Sequence, residues 1–113
     1  MILEKQIERK FKQKVEALGA LAWKFTSPGR AGVPDRIVIL PGGRVVFAEM
    51  KAPGQKLRPL QVATVAMIKR LGCHAWVIDS YEKIDEFIEK EMMPDGVHTA
   101  SVPGGGDKPN RRT

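Results

Sequence analysis

The sequence predicts an α/β domain in which a mixed sheet is flanked by helices, with the element order αβββαβα. The first observation behind this prediction is a pair of β-branched and apolar runs, at 36–40 and 45–52. They lie on either side of Pro41-Gly42-Gly43, which is a strong hairpin signal. The second observation is that amphipathic helical stretches precede and follow this hairpin and alternate with one further strand. A strand that follows a helix can join the sheet by a crossover, so the sheet is expected to be mixed.

The elements before the hairpin are a helix and a short strand. The helix is expected over residues 2–18, because apolar residues recur there at helical spacing and Gly19 follows as a stop signal. These apolar residues are Ile7, Phe11, Val15 and Leu18. The strand is expected over 20–26, with Trp23 and Phe25 on one face and Trp23 packed in the core.

The second half of the chain predicts a helix, a strand and a last helix. Pro59 suits a first helical turn, and the apolar pattern continues to Leu71, with Gly72 as the stop. A short strand over 74–79 follows, and Ser80 then has the residue type that caps a helix. These elements complete the predicted order.

The domain is expected to occupy residues 1–93. Residues 94–113 are rich in glycine and proline and hold few large apolar side chains, so we expect a flexible tail there. No apolar run approaches the roughly 20 residues of a membrane span, and the N-terminus is charged rather than signal-like. The lone Cys73 excludes an internal disulfide and is expected to be a small core residue. A cytoplasmic protein that makes no membrane contact is the resulting expectation.

The net charge of +6 is unevenly distributed. Residues 30–70 carry eight Lys or Arg and two acids, whereas residues 79–91 carry six acids and two lysines. A basic segment that contains two carboxylates suits a polyanionic substrate, with a metal site inside the positive field. Ordinary solvated surface charge is the alternative interpretation.

Strand geometry places the two carboxylates. If residues 41–43 form a three-residue loop, Asp35 lies opposite Glu49, and alternation puts Glu49 and Lys51 on the same face. Cross-strand Cβ atoms are about 5 Å apart, and magnesium binds oxygen at about 2.1 Å, so the pair is close enough to hold one ion. A shift of one residue would move Asp35 to the other face. The alternative is an edge hairpin with a solvated face and a Lys–Glu pair.

The hairpin and its flanks resemble a VRR-NUC domain, a family within the PD-(D/E)xK nuclease superfamily. The resemblance covers roughly residues 4–90 and implies a restriction-endonuclease-like core. It is carried by Gly32-Val33-Pro34-Asp35-Arg36, by Pro41-Gly42-Gly43-Arg44 and by Phe47-Ala48-Glu49-Met50-Lys51-Ala52-Pro53-Gly54.

The resemblance implies a DNA endonuclease that depends on Mg²⁺ or Mn²⁺. Asp35, Glu49 and the backbone carbonyl of Met50 would hold the ion. In the superfamily an acidic residue on the first helix often completes the metal site. Glu8 is the better match for that residue, with Glu4 in reserve.

Further site residues follow from the same resemblance. Lys51 would act on the attacking water or on the charge of the transition state, and Gln61 matches a recurrent active-site glutamine. An aromatic residue can follow that glutamine in the family, but Val65 stands at this position. The expected catalytic set is Asp35, Glu49, Lys51 and Gln61, and the expected DNA contacts are Arg30, Arg36, Lys56 and Arg58.

Small stand-alone members of the family look like junction resolvases. The resemblance therefore implies a phage-encoded or bacterial homodimer that acts on branched DNA such as four-way (Holliday) junctions. Two alternatives stay open at this point. One is a degenerate nuclease that binds DNA without cleaving it, and the other is an interaction domain whose acidic last helix docks a partner.

Overall fold

The computed structural model describes residues 1–93 and contains the predicted order of elements. The elements are α1 (Glu4–Ala17), β1 (Leu21–Lys24), β2 (Arg36–Ile39), β3 (Val45–Met50), α2 (Pro59–Arg70), β4 (Ala75–Ile78) and α3 (Tyr81–Phe87), which continues into a turn of π-helix (Ile88–Met92). The predicted tail, 94–113, lies outside the described residues. Within residues 1–93, no helix is long and apolar enough to cross a membrane.

The four strands form one mixed sheet in the order β1-β2-β3-β4. The pairs β1–β2 and β2–β3 are antiparallel, whereas β3–β4 is parallel. Helix α2 provides the crossover that a parallel pair requires. The prediction of a mixed sheet flanked by helices is therefore confirmed.

The turn between β2 and β3 closes as the sequence predicts. The Leu40 N–H donates to the Arg44 carbonyl at 2.8 Å, and the Gly43 N–H donates to the Leu40 carbonyl at 2.9 Å. Gly42 and Gly43 have φ values of +94° and +89°, which residues with a side chain rarely adopt. The two glycines thus permit a three-residue loop.

This turn fixes the register of the hairpin. Arg36 pairs with Ala48 across β2 and β3. One step further out, Asp35 lies opposite Glu49, as predicted. The two carboxylates therefore reach the same face of the sheet at one end of the hairpin.

The hydrophobic core lies between the sheet and two helices, α1 and α3. Ile7, Phe11 and Val15 of α1 are fully buried. The rings of Phe11 and Phe87 meet edge to face with centroids 5.0 Å apart. The strands contribute Ala22, Val38, Val46, Ala48, Met50 and Ile78. Leu18, the last member of the predicted stripe, is exposed because α1 ends one residue before it.

The other face of the sheet is only partly covered, since α2 is the helix on that side. The prediction that Trp23 packs in the core is wrong, because its side chain is 56% exposed on this face. Trp23 is opposite Ile37 in the β1–β2 pair, and alternation turns both away from α1. We call the uncovered group the open sheet face; its members are Leu21, Trp23, Ile37, Ile39 and Val45.

Cys73 is also misplaced by the sequence prediction, because its side chain is exposed rather than packed in the core. It follows Gly72, whose φ is +94°, in the turn that ends α2. The Cys73 N–H donates to the Ile68 carbonyl at 3.1 Å, so its backbone closes the helix. The side chain then projects into solvent.

The π-helical turn is attached to the sheet through the buried side chain of Glu91. Its Oε1 accepts from the Arg44 guanidinium at 2.8 Å, and its Oε2 accepts from the Trp76 indole at 2.7 Å. The His74 Nδ1 lies 2.6 Å from the same Oε2. Burial works to raise the pKa of Glu91, but the hydrogen bonds from Arg44, Trp76 and His74 together hold that pKa below its usual range.

We expect Glu91→Gln to lower the free energy of unfolding at pH 7 by about 1–3 kcal/mol, because it weakens a buried, charge-assisted network. The lowered pKa means that the carboxylate stabilises the fold above its unfolded-state pKa. This contribution is lost as the pH falls through the lowered value. Urea unfolding at several pH values should therefore show that the difference in unfolding free energy between wild type and Glu91→Gln becomes smaller in acid. Glu89→Gln, on an exposed neighbour in the same turn, is the control. Equal stability of Glu91→Gln and wild type at pH 7 would contradict this account.

Candidate active site

Two hydrogen bonds that run in opposite directions across the hairpin hold the side chains of Asp35 and Glu49. The Asp35 N–H donates to Glu49 Oε1 at 3.1 Å, and the Met50 N–H donates to Asp35 Oδ1 at 3.2 Å. Each carboxylate is thus held by the backbone of the opposite strand. This arrangement fixes both side chains before any ligand arrives.

The second oxygen of Glu49 contacts two further predicted residues. Gln61 Nε2 donates to Glu49 Oε2 at 3.1 Å, and Lys51 Nζ lies 3.8 Å from the same oxygen. Gln61 Oε1 accepts from the Arg58 N–H at 2.8 Å, which fixes the orientation of the amide. The structure therefore brings together the four residues of the expected catalytic set.

Burial raises the pKa of both carboxyl groups. For Asp35, desolvation is the largest cause, and the Met50 N–H and the Arg36 charge oppose it. For Glu49, desolvation is again the largest cause, and the negative charge of Asp35 adds to it. Burial therefore disfavours the negative charges of both side chains, and a bound cation would offset this cost.

Arg36 does not lie where the sequence prediction puts it. Its side chain is 6% exposed, and its guanidinium lies 3.0 Å from Glu8 Oε2. It also donates to the Ala22 carbonyl at 3.3 Å. The prediction that Arg36 contacts DNA is therefore wrong, because alternation along β2 turns this side chain toward α1 while Asp35 faces the opposite side.

The same ion pair engages one carboxylate oxygen of Glu8, whose negative charge also helps to raise the pKa of Asp35. Within residues 1–93, no three or more His, Cys, Asp or Glu side chains are grouped so that they could hold a metal. Glu8, with Glu4 in reserve, as the residue that completes the metal site therefore stays a prediction; the charge of Glu8 acts on Asp35 and that of Glu4 acts on Glu49. A sequence signal for the Arg36–Glu8 pair is absent, because the two residues lie on different elements.

The chemistry of the carboxylate pair nevertheless fits a divalent cation. Mg²⁺ is usually bound by one or two carboxylates and keeps several waters, so a third protein carboxylate is not required. Asp35 and Glu49 supply hard oxygen donors whose burial disfavours the unpaired negative charges. The Met50 carbonyl as a further ligand stays a prediction.

The loop before Asp35 passes directly over the first turn of α2. A Cβ atom on Gly32 would lie 2.9 Å from the Leu60 Cγ and 3.0 Å from the Leu60 carbonyl oxygen, and its φ is +86°. Only glycine permits this approach. The contact fixes the start of α2, and hence Gln61, relative to Asp35.

The remaining predicted DNA contacts are exposed cations. Arg30, Lys56 and Arg58 lie on the loops on either side of the hairpin, and none has an acidic partner within the described part of the chain. Arg30 donates to Thr64 Oγ1 at 3.3 Å. These cations are available to an anion from outside.

We expect Asp35→Asn to raise the melting temperature in metal-free buffer at pH 7. The amide keeps an acceptor for the Met50 N–H but removes a charge that burial disfavours. Because folding raises the pKa of Asp35, wild-type stability should increase as the pH falls toward the pKa of the unfolded state. The difference in melting temperature between the two proteins should therefore disappear in acid.

Calorimetric melting of both proteins between pH 4 and pH 8 checks this prediction. Asp79→Asn, a change at a half-buried aspartate after β4, is the matched control. A lower melting temperature for Asp35→Asn at neutral pH would show that the charge stabilises the fold.

Two comparisons with known proteins agree with this geometry, while no family model matches the chain. The curated relative is "Putative nuclease p44" of Acyrthosiphon pisum secondary endosymbiont phage 1. It is 45% identical over 82 residues, which are 73% of this chain and 88% of the relative. The solved structure is a chain described as a VRR_NUC domain. It superposes with a TM-score of 0.73 at 34% identity, over 78% of this chain and 96% of that chain. With this extent of similarity over nearly the whole length of both relatives, the chain belongs to the VRR-NUC family of nucleases.

Proposed function

We propose that this protein is a divalent-metal-dependent DNA endonuclease that hydrolyses phosphodiester bonds at the Asp35–Glu49 pair. The observation that carries the proposal is a pair of desolvated, backbone-held carboxylates with Lys51 on the same face. The family supports nuclease activity, and the relative named as a nuclease supports it further. The relative's phage origin also supports a phage-encoded or bacterial protein that works in the bacterial cytoplasm.

The residues of the site divide the work by their positions. Mg²⁺ or Mn²⁺ held by Asp35 and Glu49 would supply a Lewis acid and lower the pKa of a bound water. Gln61 keeps Glu49 in place through its hydrogen bond to Oε2. Lys51, whose Nζ lies 3.8 Å from Glu49 Oε2, would orient the attacking water or stabilise negative charge that develops on the phosphate. Arg30, Lys56 and Arg58 would hold the DNA backbone by charge.

We expect Lys51→Ala to abolish cleavage while metal binding stays largely intact, because Lys51 acts on the reacting atoms and the carboxylates bind the ion. Cleavage of plasmid and four-way-junction DNA with Mg²⁺ or Mn²⁺ measures the first effect. Stabilisation by Mn²⁺ in thermal melting measures the second. Asp35→Ala should remove both.

Lys10→Ala is the matched control for Lys51→Ala, since it removes an exposed lysine of α1 to which no part in binding or cleavage is assigned. Undiminished cleavage by rigorously purified Lys51→Ala would overturn the assignment of Lys51. A wild-type protein that binds DNA but cleaves none with either ion would support the alternative of a non-catalytic binding module. Absence of DNA binding altogether would support an interaction domain.

The substrate proposed is branched DNA, and the proposed working form is a symmetric homodimer. One chain carries one candidate site, so coordinated cuts in two strands need two copies, and a two-fold axis matches a symmetric junction. The open sheet face supports this proposal, because Leu21, Trp23 and Val45 are 42%, 56% and 43% exposed on one contiguous surface. An uncovered apolar surface of this kind is typical of protein–protein contacts.

We expect Trp23→Lys to convert a dimer into a monomer, because a charge on the open sheet face opposes its burial. Sedimentation should give twice the 12.5 kDa chain mass for wild type and the single mass for the variant. The variant should nick a cruciform plasmid that wild type linearises. Val62→Lys, at a 53% exposed position on α2, is the control. A monomeric wild type that only nicks would remove the resolvase proposal and leave the nuclease proposal standing.

A further inference from the structure

A cavity of about 300 Å³ opens on the sheet face that carries the carboxylate pair. Its apolar walls come from four parts of the chain: the residue after β1, the loop before β2, strand β3, and the C-terminal end of α2. They are formed by Phe25, Val33, Phe47, Ile68 and Leu71. Phe25 and Phe47 meet edge to face with ring centroids 6.4 Å apart, so two aromatic rings line one side.

Three residues that line the cavity are neighbours of the candidate catalytic residues. The Phe25 N–H donates to the Asp35 carbonyl at 2.8 Å. Phe47 precedes Glu49 by two residues on the same face of β3, a separation of about 7 Å along the strand. Thr64, which also lines the cavity, follows Gln61 by one turn of α2. A nucleotide next to a phosphate held at the carboxylate pair would therefore have its base within reach of this cavity.

Arg30 gives the rim of the cavity a positive charge. Its guanidinium lies 3.3 Å from Thr64 Oγ1 and 3.5 Å from Met67 Sδ. No acidic side chain of residues 1–93 pairs with it. An apolar aromatic-lined cavity beneath an unneutralised cation fits a ligand with a flat body and an attached anion. A nucleotide has this composition, and arginine planes stack on unpaired bases.

A second copy of this chain fits the cavity less well. It could insert an apolar side chain, but each chain carries a net charge of +6 and the contact would leave Arg30 without an anion. The open sheet face offers an apolar contact to a second copy without a cation at its centre. Charge complementarity thus favours nucleic acid for the cavity.

We propose that this cavity receives one unstacked nucleobase of the DNA strand held at Asp35 and Glu49, with Arg30 on a flanking phosphate. The proposal rests on the proposed function only in requiring DNA at the carboxylate pair. Such a cavity would favour branched DNA, because unstacking a base at a branch costs less free energy than unstacking one inside a duplex.

The test uses the full chain with Lys51→Ala, in Mg²⁺, so that binding is read without cleavage. Four-way junctions carry one abasic nucleotide, moved position by position through the branch. At one position, loss of the base should weaken binding about 5- to 100-fold, the range expected from base–aromatic stacking. Ile68→Phe, which fills the cavity, and Phe25→Leu, which removes a ring, should bring this ratio close to one.

Val62→Phe adds the same ring on the exposed side of α2 and should keep the full ratio. Melting temperatures of all variants establish that they fold. A ratio near one at every position, or a ratio that survives in both Ile68→Phe and Phe25→Leu, overturns the proposal. It is also overturned if Ile68→Phe dissociates a dimer and leaves the ratio unchanged, since the cavity would then hold a partner side chain.

Cleavage by the chain with Lys51 intact is measured separately on the same junctions. Base discrimination without cleavage would support the cavity and refute the nuclease proposal. Cleavage without base discrimination would refute the cavity and leave the nuclease proposal intact.

Discussion

The pair of hydrogen bonds between Asp35, Glu49 and the facing backbones is the contact on which the rest of the site depends. It exists only in one register of the β2–β3 hairpin, and the turn at residues 41–43 sets that register. A slip of one residue would turn Asp35 toward α1 and place Arg36 where the carboxylate should be. The turn therefore has a chemical role although it lies at the far end of the hairpin. Tight turns of this kind can act on a site that they never touch.

The carboxylate pair is maintained against a physical cost. Burial disfavours both charges, and the fold compensates with backbone donors and with Gln61. The close approach of Gly32 to Leu60 keeps α2 where Gln61 can reach Glu49. A cation that binds this site only in the folded protein would stabilise the fold, because it offsets the cost of the buried charges. Buried carboxylates with shifted pKa values, held in place by hydrogen bonds, are typical of catalytic centres.

Much of the fold could be predicted because the decisive signals are local. Strand alternation and a glycine turn place Asp35 opposite Glu49, and helical spacing identifies the buried face of α1. What escaped prediction depends on partners far apart in sequence. The ion pair of Arg36 with Glu8 requires knowing which face of the sheet α1 covers. The exposure of Trp23 has the same origin, because an amphipathic strand does not reveal which of its two faces the helices occupy.

The two tryptophans lie in environments so different that the protein contains its own pair of optical reporters. Trp23 is exposed on the open sheet face, so its emission should shift to shorter wavelength when that face becomes covered. Trp76 lies edge to face against Phe87 at 5.2 Å, with its indole N–H on Glu91, so its emission reports on the attachment of the π-helical turn. Replacing one tryptophan at a time by phenylalanine would separate the two signals. Association and loosening of the fold could then be followed in one unlabelled sample.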